Sequence, residues 1–194
     1  VPAAPATIAR NGNYGAYGGQ VQVRAAEMTD AGALAELAAL TFPLACPPHT
    51  SDAAKAAFIA THLSEARFGG YLADETRVLF VADDGGQLLG YTMLVAGEPA
   101  DPDVASAVRI RPTIELSKCY VHPDAHGAGI ASALMATSLD AARERGAAGV
   151  WLGVNQLNAR AQRFYTKSGF TRVGTKRFLV GDHYEDDFVY ERAL

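Results

Sequence analysis

Two short runs in this chain carry residue types that could do chemistry together. His126-Gly127-Ala128-Gly129-Ile130-Ala131 sets two glycines between an alternating segment, Glu115–Val121, and a helical one. In the latter, Ile130, Leu134, Met135, Ser138, Leu139 and Ala142 recur at helical spacing as far as Gly146. A glycine turn that opens a helix aims several backbone N–H groups at one place, and the ligand best suited to such a cradle is a phosphate. The second run, Asn158–Phe170 (NARAQRFYTKSGF), puts an asparagine and the phenol of Tyr165 on a short helix. Together they describe a phosphate-bearing cofactor held near a phenolic acid.

Two nucleotide folds also use glycines at such a turn, and neither fits. In G-x-G-x-x-G the first glycine falls on Gly127 and the third on Ser132, and no acidic residue closes a strand about 20 residues later. Asp140 lies inside the helical pattern instead, and the Gly-Lys-Ser/Thr of a phosphate-binding P-loop is missing.

Taken together, the two runs resemble the GNAT superfamily of acetyl-CoA-dependent N-acetyltransferases. The family's cofactor motif, Gln/Arg-x-x-Gly-x-Gly/Ala, corresponds to His126-Gly127-Ala128-Gly129-Ile130-Ala131, with histidine in place of the usual first residue. The downstream pattern Asn-x-x-Ala-x-x-Phe-Tyr-x-x-x-Gly-Phe is matched by Asn158, Ala161, Phe164, Tyr165, Gly169 and Phe170. The resemblance implies acetyl-CoA as cosubstrate, held by His126, Gly127, Ala128, Gly129, Ile130, Ala131 and Ser132 at the pyrophosphate and by Asn158 and Phe164 beside it. It also implies that backbone groups of Tyr120 and Val121 pair with the pantetheine arm, and that the Cys119 N–H faces the acetyl carbonyl. No metal is implied. Unperturbed imidazole titrates near about 6.5, so His126 could make cofactor affinity mildly pH-dependent; the competing reading is a solvent-facing side chain.

Acetyl transfer to an amine needs a neutral amine, a polarised thioester and a proton for the leaving thiolate. An alkyl amine, with a pKa of about 10.4, arrives protonated and needs a base. Glu115, on the strand that feeds the glycine turn, is the candidate, and two-residue alternation puts it on one face with Ser117, Cys119 and Val121. Tyr165 is the candidate acid. The closing run GTKRFLVGDHYEDDFVYERAL resembles PaiA-like spermidine/spermine acetyltransferases, which implies a polyamine acceptor and makes Asp182 and Asp187 the substrate-binding candidates. Glu185 and Asp186 are expected at a solvated hairpin tip.

The elements that must position these groups follow from pattern. Gln20–Met28 alternates as a strand, and Thr29 caps a helix through Leu34, Leu37, Ala38 and Phe42 that ends at the prolines 43, 47 and 48. Ser51 caps a second helix carrying Phe58, Ile59, Leu63 and Ala66. Arg77–Asp83 and Gln87–Val95 form a hairpin across Asp84-Gly85-Gly86, and residues 97–111 are a loop. Gly149–Val154 is a strand, with two more near Thr171–Lys176 and Tyr184–Glu191. This order suits an α/β (α+β) GNAT fold: a mixed, mostly antiparallel central sheet of about seven strands flanked by four helices. One domain, residues 20–194, follows a leader, residues 1–19, rich in Pro, Ala and Gly and expected to be flexible, without the pattern of a secretory signal.

With 194 residues, 49% hydrophobic, the chain can bury one core, and its net charge of −4 gives no footprint for nucleic acid or an anionic membrane. Cys46 and Cys119, the only cysteines, have no metal-ligand spacing and suit a reducing cytoplasm. The expected partner is a small-molecule amine; dimers are common in the family, so the resemblance leaves a homodimer open. Three functional readings stand: a cytoplasmic small-amine acetyltransferase, an enzyme of the same fold acting on a protein N-terminus or an antibiotic amine, and a silent acetyl-CoA-binding module.

Overall fold

The computed structural model describes the backbone of residues 6–7 and residues 21–181 and 183–194. The strands are β1 (Ala6–Thr7), β2 (Gln22–Ala25), β3 (Arg77–Asp84), β4 (Gln87–Ala96), β5 (Thr113–Val121), β6 (Gly149–Asn155), β7 (Thr171–Val180) and β8 (His183–Ala193). They form one sheet in the order β1-β2-β3-β4-β5-β6-β8-β7. Every neighbouring pair is antiparallel except β5–β6. This is the expected mixed, mostly antiparallel α/β sheet: seven strands of four or more residues and the short β1. Ala6–Thr7 pair with β2, although they fall in the expected leader; its other residues lie outside the described ones.

Among the described residues six helices flank the sheet where four were expected: α1 (Ala31–Ala45), α2 (Asp52–His62), α3 (Glu65–Ala73), α4 (Pro102–Ala107), α5 (Ile130–Glu144) and α6 (Ala159–Lys167). The expected second helix divides because Ser64 offers a second cap, its hydroxyl accepting from Arg67 N–H at 3.4 Å, two residues after α2 ends. The loop 97–111 contains α4, opened by Asp101 as cap with Pro102 in its first turn. Ahead of α1, Asp30 accepts the Glu27 N–H at 2.7 Å and pairs with Arg24, so this entry turn, and not Thr29, fixes the start.

The core has two sides. Leu34, Leu37 and Phe42 of α1 and Phe68 of α3 pack on β3 and β4 around Val81, Tyr91 and Met93. On the opposite face α5 lays down the predicted stripe: Ile130 and Leu134 against Val23 and Leu89, Met135 and Leu139 against Ile114, Leu116 and Leu152. Each such side chain contributes about 1.5–3 kcal/mol of transfer free energy. Because α5 is held along its length, its first turn is a fixed platform for whatever binds there.

Two irregularities of β5 create the site. Its parallel pairing with β6 covers only Thr113–Glu115 against Gly149–Trp151, and beyond that the strands part. Against β4 the register passes from Met93↔Lys118 to Leu94↔Leu116, which leaves Ser117 as a bulge residue. An extra residue reverses the parity of every side chain after it. Glu115 therefore shares its face with Lys118 and Tyr120, not with Cys119 and Val121 as simple alternation implied. The neighbours agree: Tyr120 stacks on Tyr91, 5.5 Å between ring centres, on the α1/α3 side. Cys119 packs into the α5 side, where its partner Thr92 bonds Ser138 at 2.8 Å.

Candidate active site

The gap between β5 and β6 is lined by main chain that no neighbouring strand pairs. His122 N–H donates to Leu89 O at 2.8 Å, so by strand alternation the amides of Tyr120 also turn toward β4. The N–H and C=O groups of Cys119 and the N–H of Val121 then point the other way, into the gap, while the Val121 C=O on that side is taken by His126. Strand-like pairing with an extended ligand falls to Cys119 and Val121; of the two residues expected for it, the Tyr120 main chain is engaged in the sheet.

Past Val121 a 3-10 turn, Pro123–Ala125, leads to the glycine turn and α5. Gly127 and Gly129 have φ of 83° and 79°, left-handed values that glycine adopts without a Cβ clash. Gly129 caps α5 with no side-chain partner, and the first helical bond is Ala133 N–H to Gly129 O at 3.0 Å. The N–H groups of Ile130, Ala131 and Ser132 thus stand at the helix mouth free of intrahelical partners, as an anion cradle requires. His126 folds back so that its Nε2 donates to Val121 O at 3.0 Å, and its pKa is lowered by partial burial and by Arg160 nearby. A neutral imidazole so engaged supplies no positive charge to a phosphate. Arg160, on the exposed first turn of α6 and lining the same groove, is a permanent cation there; sequence reasoning passed over it, although it stands inside the Asn158–Phe170 run.

On the far wall, Asn158 Oδ1 caps α6 by accepting Ala161 N–H at 3.1 Å, which leaves its amide NH2 for the groove. Phe164 lines the groove and Tyr165 stands at its inner end. The Tyr165 ring is wedged against Phe164 and Phe170, and burial raises its pKa well above the ordinary phenol value. Its hydroxyl therefore remains a proton donor at neutral pH and makes no hydrogen bond among the described residues.

The groove, about 440 Å³, meets a second cavity of about 540 Å³ on the other side of the sheet opening. Cys119, Tyr120, Asn158, Ala161 and Tyr165 border both. The second chamber is walled by Phe42 of α1 and Cys46 just past its end, Phe58 and His62 of α2, Tyr71 of α3, and Lys176, Phe178, Glu185 and Asp187 of β7–β8. Phe58 stacks on Phe42, 4.5 Å between centres, and meets Phe178 edge-on at 5.6 Å. The β7–β8 arm is latched down where Glu185 accepts from His49 Nε2 at 3.0 Å and from the Thr50 hydroxyl at 3.4 Å. Glu185, expected in solvent, is only 6% exposed, while Asp186 is exposed as anticipated. Strand alternation sends Glu185 and Asp187 inward together. Asp182 lies outside the described residues.

Charges line the chamber floor. Glu115 faces it, its pKa raised by burial against the pull of Lys176 and Lys118. Burial pushes the Asp187 carboxyl up to about 6, opposed by Lys176. Lys176 reaches in over Gly153, where a Cβ would fall 2.5 Å from its Cε. Lys118, Lys176 and His62 were not among the sequence candidates; the bulge that turns Lys118 inward leaves no mark in the residue pattern. The Cys119 thiol is pushed up to about 12 by burial, so it is no nucleophile at neutral pH. Among the described residues no group of three or more His, Cys, Asp or Glu is arranged to hold a metal ion, and no helix is long and apolar enough to cross a membrane.

The acetyltransferase (GNAT) family model matches residues 34–170, a span that holds the glycine turn, the splayed parallel pair and Tyr165. The chain belongs to the GNAT family. It is 47% identical over 167 residues to an uncharacterized N-acetyltransferase of Mycobacterium tuberculosis, covering 86% of this chain and 99% of that one. Streptothricin acetyltransferase of Streptomyces lavendulae is 42% identical over 82 residues, 39% of this chain and 42% of that one. Among solved structures, the PaiA N-acetyltransferase of Thermoplasma acidophilum in complex with coenzyme A superposes with a TM-score of 0.71 at 18% identity, over 90% of this chain and 99% of that one. This GNAT protein is an acetyl-CoA-dependent N-acetyltransferase, and the groove from Val121 to Ser132 fits its cosubstrate. The helix mouth offers N–H groups to a pyrophosphate, and the open edge of β5 offers main chain to an extended arm.

Proposed function

We propose that this enzyme works in the cytoplasm and transfers the acetyl group of acetyl-CoA directly to a primary amine of a small molecule, a polyamine being the favoured acceptor class. The observation that carries the reading is the meeting of two cavities of different chemistry at Cys119 and Tyr165. One is built from backbone N–H groups and suits phosphates; the other is lined by aromatic rings and three carboxylates, Glu115, Glu185 and Asp187, and suits an alkylammonium. In this reading the Cys119 N–H polarises the acetyl carbonyl, as a one-donor oxyanion site. The Tyr165 hydroxyl hydrogen-bonds the sulfur as the C–S bond breaks. A free thiol, pKa about 8.5, is a stronger acid than this phenol, so Tyr165 relays a proton that originates on the amine and regains its own. The amine proton that remains in excess leaves to a base in the acceptor chamber. A single direct transfer needs no enzyme-bound acetyl group, in keeping with the protonated Cys119.

A second reading, an antibiotic amine, is favoured by the likeness to streptothricin acetyltransferase. The deciding experiment is release of CoA thiol from acetyl-CoA with spermidine, spermine, amino acids, an aminoglycoside, streptothricin and peptides with free N-termini. Turnover with spermidine well above the others supports the polyamine. Preference for streptothricin or the aminoglycoside moves the acceptor to the antibiotic class, and turnover with peptides alone would overturn the small-molecule reading.

A further inference from the structure

We propose that Lys118 is the residue that takes the proton from the acceptor's ammonium group, and that Glu115 is its positioning partner. The inference rests on the acetyl-transfer reading of the site and names the base within it. The Ser117 bulge puts Lys118 on the acceptor side of β5, one residue before the Cys119 amide that faces the gap. Its side chain runs into the chamber shared with Tyr165, and its Nζ lies 5.7 Å from the centre of the Tyr71 ring. Among the described residues no carboxylate comes within ion-pair distance of that nitrogen. The groups around it come from four elements: His62 of α2, Tyr71 of α3, Arg77 of β3 and Glu115 of its own strand, with Lys176 of β7 beyond Glu115. Burial and Arg77 disfavour the ammonium form and Glu115 favours it; the balance brings Lys118 down to about 8.

A base is useful to the extent that its strength approaches that of the acid it must deprotonate. Moving a proton from an alkylammonium, pKa about 10.4, to a group near 8 is uphill by roughly 10²-fold to 10³-fold. For a carboxylate of ordinary strength the ratio is about 10⁶. Burial narrows that deficit for Glu115 without reversing it. Lys118 is the better-matched group, and Glu115, facing the same chamber, holds its charged form after transfer. The balance is simple. Neutral Lys118 Nζ takes one proton from R–NH3+, and the freed lone pair forms the C–N bond to the acetyl carbon. The C–S bond breaks, and a second amine proton reaches the sulfur through Tyr165, leaving amide and CoA thiol. Protonated Lys118 then releases its proton to solvent past Glu115.

The test is the pH dependence of kcat between pH 6 and 10, with saturating acetyl-CoA and the best amine of the acceptor panel, for wild type, Lys118→Met, Lys118→Arg and Glu115→Gln. Alongside it, competitive labelling of the wild-type protein with acetic anhydride, read by mass spectrometry, gives the titration midpoint of Lys118 itself. Wild type should rise to a plateau with a midpoint near 8. Both Lys118 variants should lose about 10²-fold or more in kcat together with that midpoint, while acetyl-CoA binding by calorimetry stays within about threefold and shows that they fold. Glu115→Gln should keep the limb and move it to lower pH, since the carboxylate favours the charged lysine. A Lys118→Met enzyme with the wild-type profile overturns the proposal, as does a limb that vanishes in Glu115→Gln and survives in Lys118→Met. A labelling midpoint near that of free lysine overturns it as well. A midpoint near 8 with no turnover on any amine supports the environment of Lys118 and counts against the acetyl-transfer reading instead.

Discussion

Replacing Tyr165 by Phe removes one oxygen and leaves every packing contact of the ring. The ring sits 9% exposed against Phe164 and Phe170, and its hydroxyl has no hydrogen-bond partner among the described residues. Nothing buried is therefore orphaned by the change, and stability should move by less than about 0.5 kcal/mol, the range for substitutions that touch no such feature. Affinity for acetyl-CoA should hold too, because in this reading it draws on the N–H groups of Ile130, Ala131 and Ser132 and on the main chain of β5. The loss should fall on the step in which sulfur departs. A positioned acid contributes about 10²-fold to 10⁴-fold, or about 2.7–5.5 kcal/mol in the barrier. We expect kcat to drop by at least 10²-fold with KM for acetyl-CoA within about threefold, followed by thiol release in a chromogenic assay. Because burial holds the phenol above its ordinary range, the wild-type enzyme should show no loss attributable to Tyr165 below about pH 10. A Phe variant with more than a third of wild-type kcat, or one impaired only in KM, would refute the acid role.

Asp187→Asn should stabilise the protein at high pH. The folded carboxyl titrates near 6 against about 3.9 unfolded, so folding favours the neutral acid. The penalty for the buried charge is absent below about pH 4, grows as pH rises through 6, and is complete above it. Asparagine removes that penalty, and the variant should gain about 2 kcal/mol at pH 8 and nothing at pH 4, measured by urea unfolding at the two pH values; equal stability at pH 8 would contradict the assignment. Arg160→Ala should weaken acetyl-CoA binding about fivefold, with the effect shrinking in high salt as expected for an exposed cation, whereas His126→Ala should change it less than threefold. Calorimetry at two salt concentrations checks both, and the reverse ranking would return the phosphate contact to His126.

Much of this protein was legible in one dimension because its signals are local. Gly127 and Gly129 mark left-handed backbone, Ile130–Ala142 has the helical period, and Asn158 can cap only the helix it precedes. Each depends on neighbours within a turn or two of chain, and each stands where its pattern put it. The acceptor side was not legible, since it is assembled from segments remote in sequence. Unbroken strand alternation turns Glu185 and Asp187 to one face, but that this face closes inward over the chamber depends on His49 and Thr50, which lie about 135 residues before Glu185. The second helix divides at a weak cap, Ser64, that competes with a continuous pattern, and the short helix at Pro102 is opened by the Asp101 cap inside the expected loop.

Sequence by itself determined which chemistry the chain can perform, because a phosphate cradle and a phenol on a short helix are properties of the residues and their spacing. Tertiary structure alone decided which side chains face the acceptor. One residue, Ser117, has no opposite number on β4, and by that count Glu115 shares its face with Lys118 where alternation promised Cys119. A bulge is a property of two paired strands, settled by how Leu94 and Leu116 reach the core on one side and Tyr91 and Tyr120 on the other. No single strand carries that information.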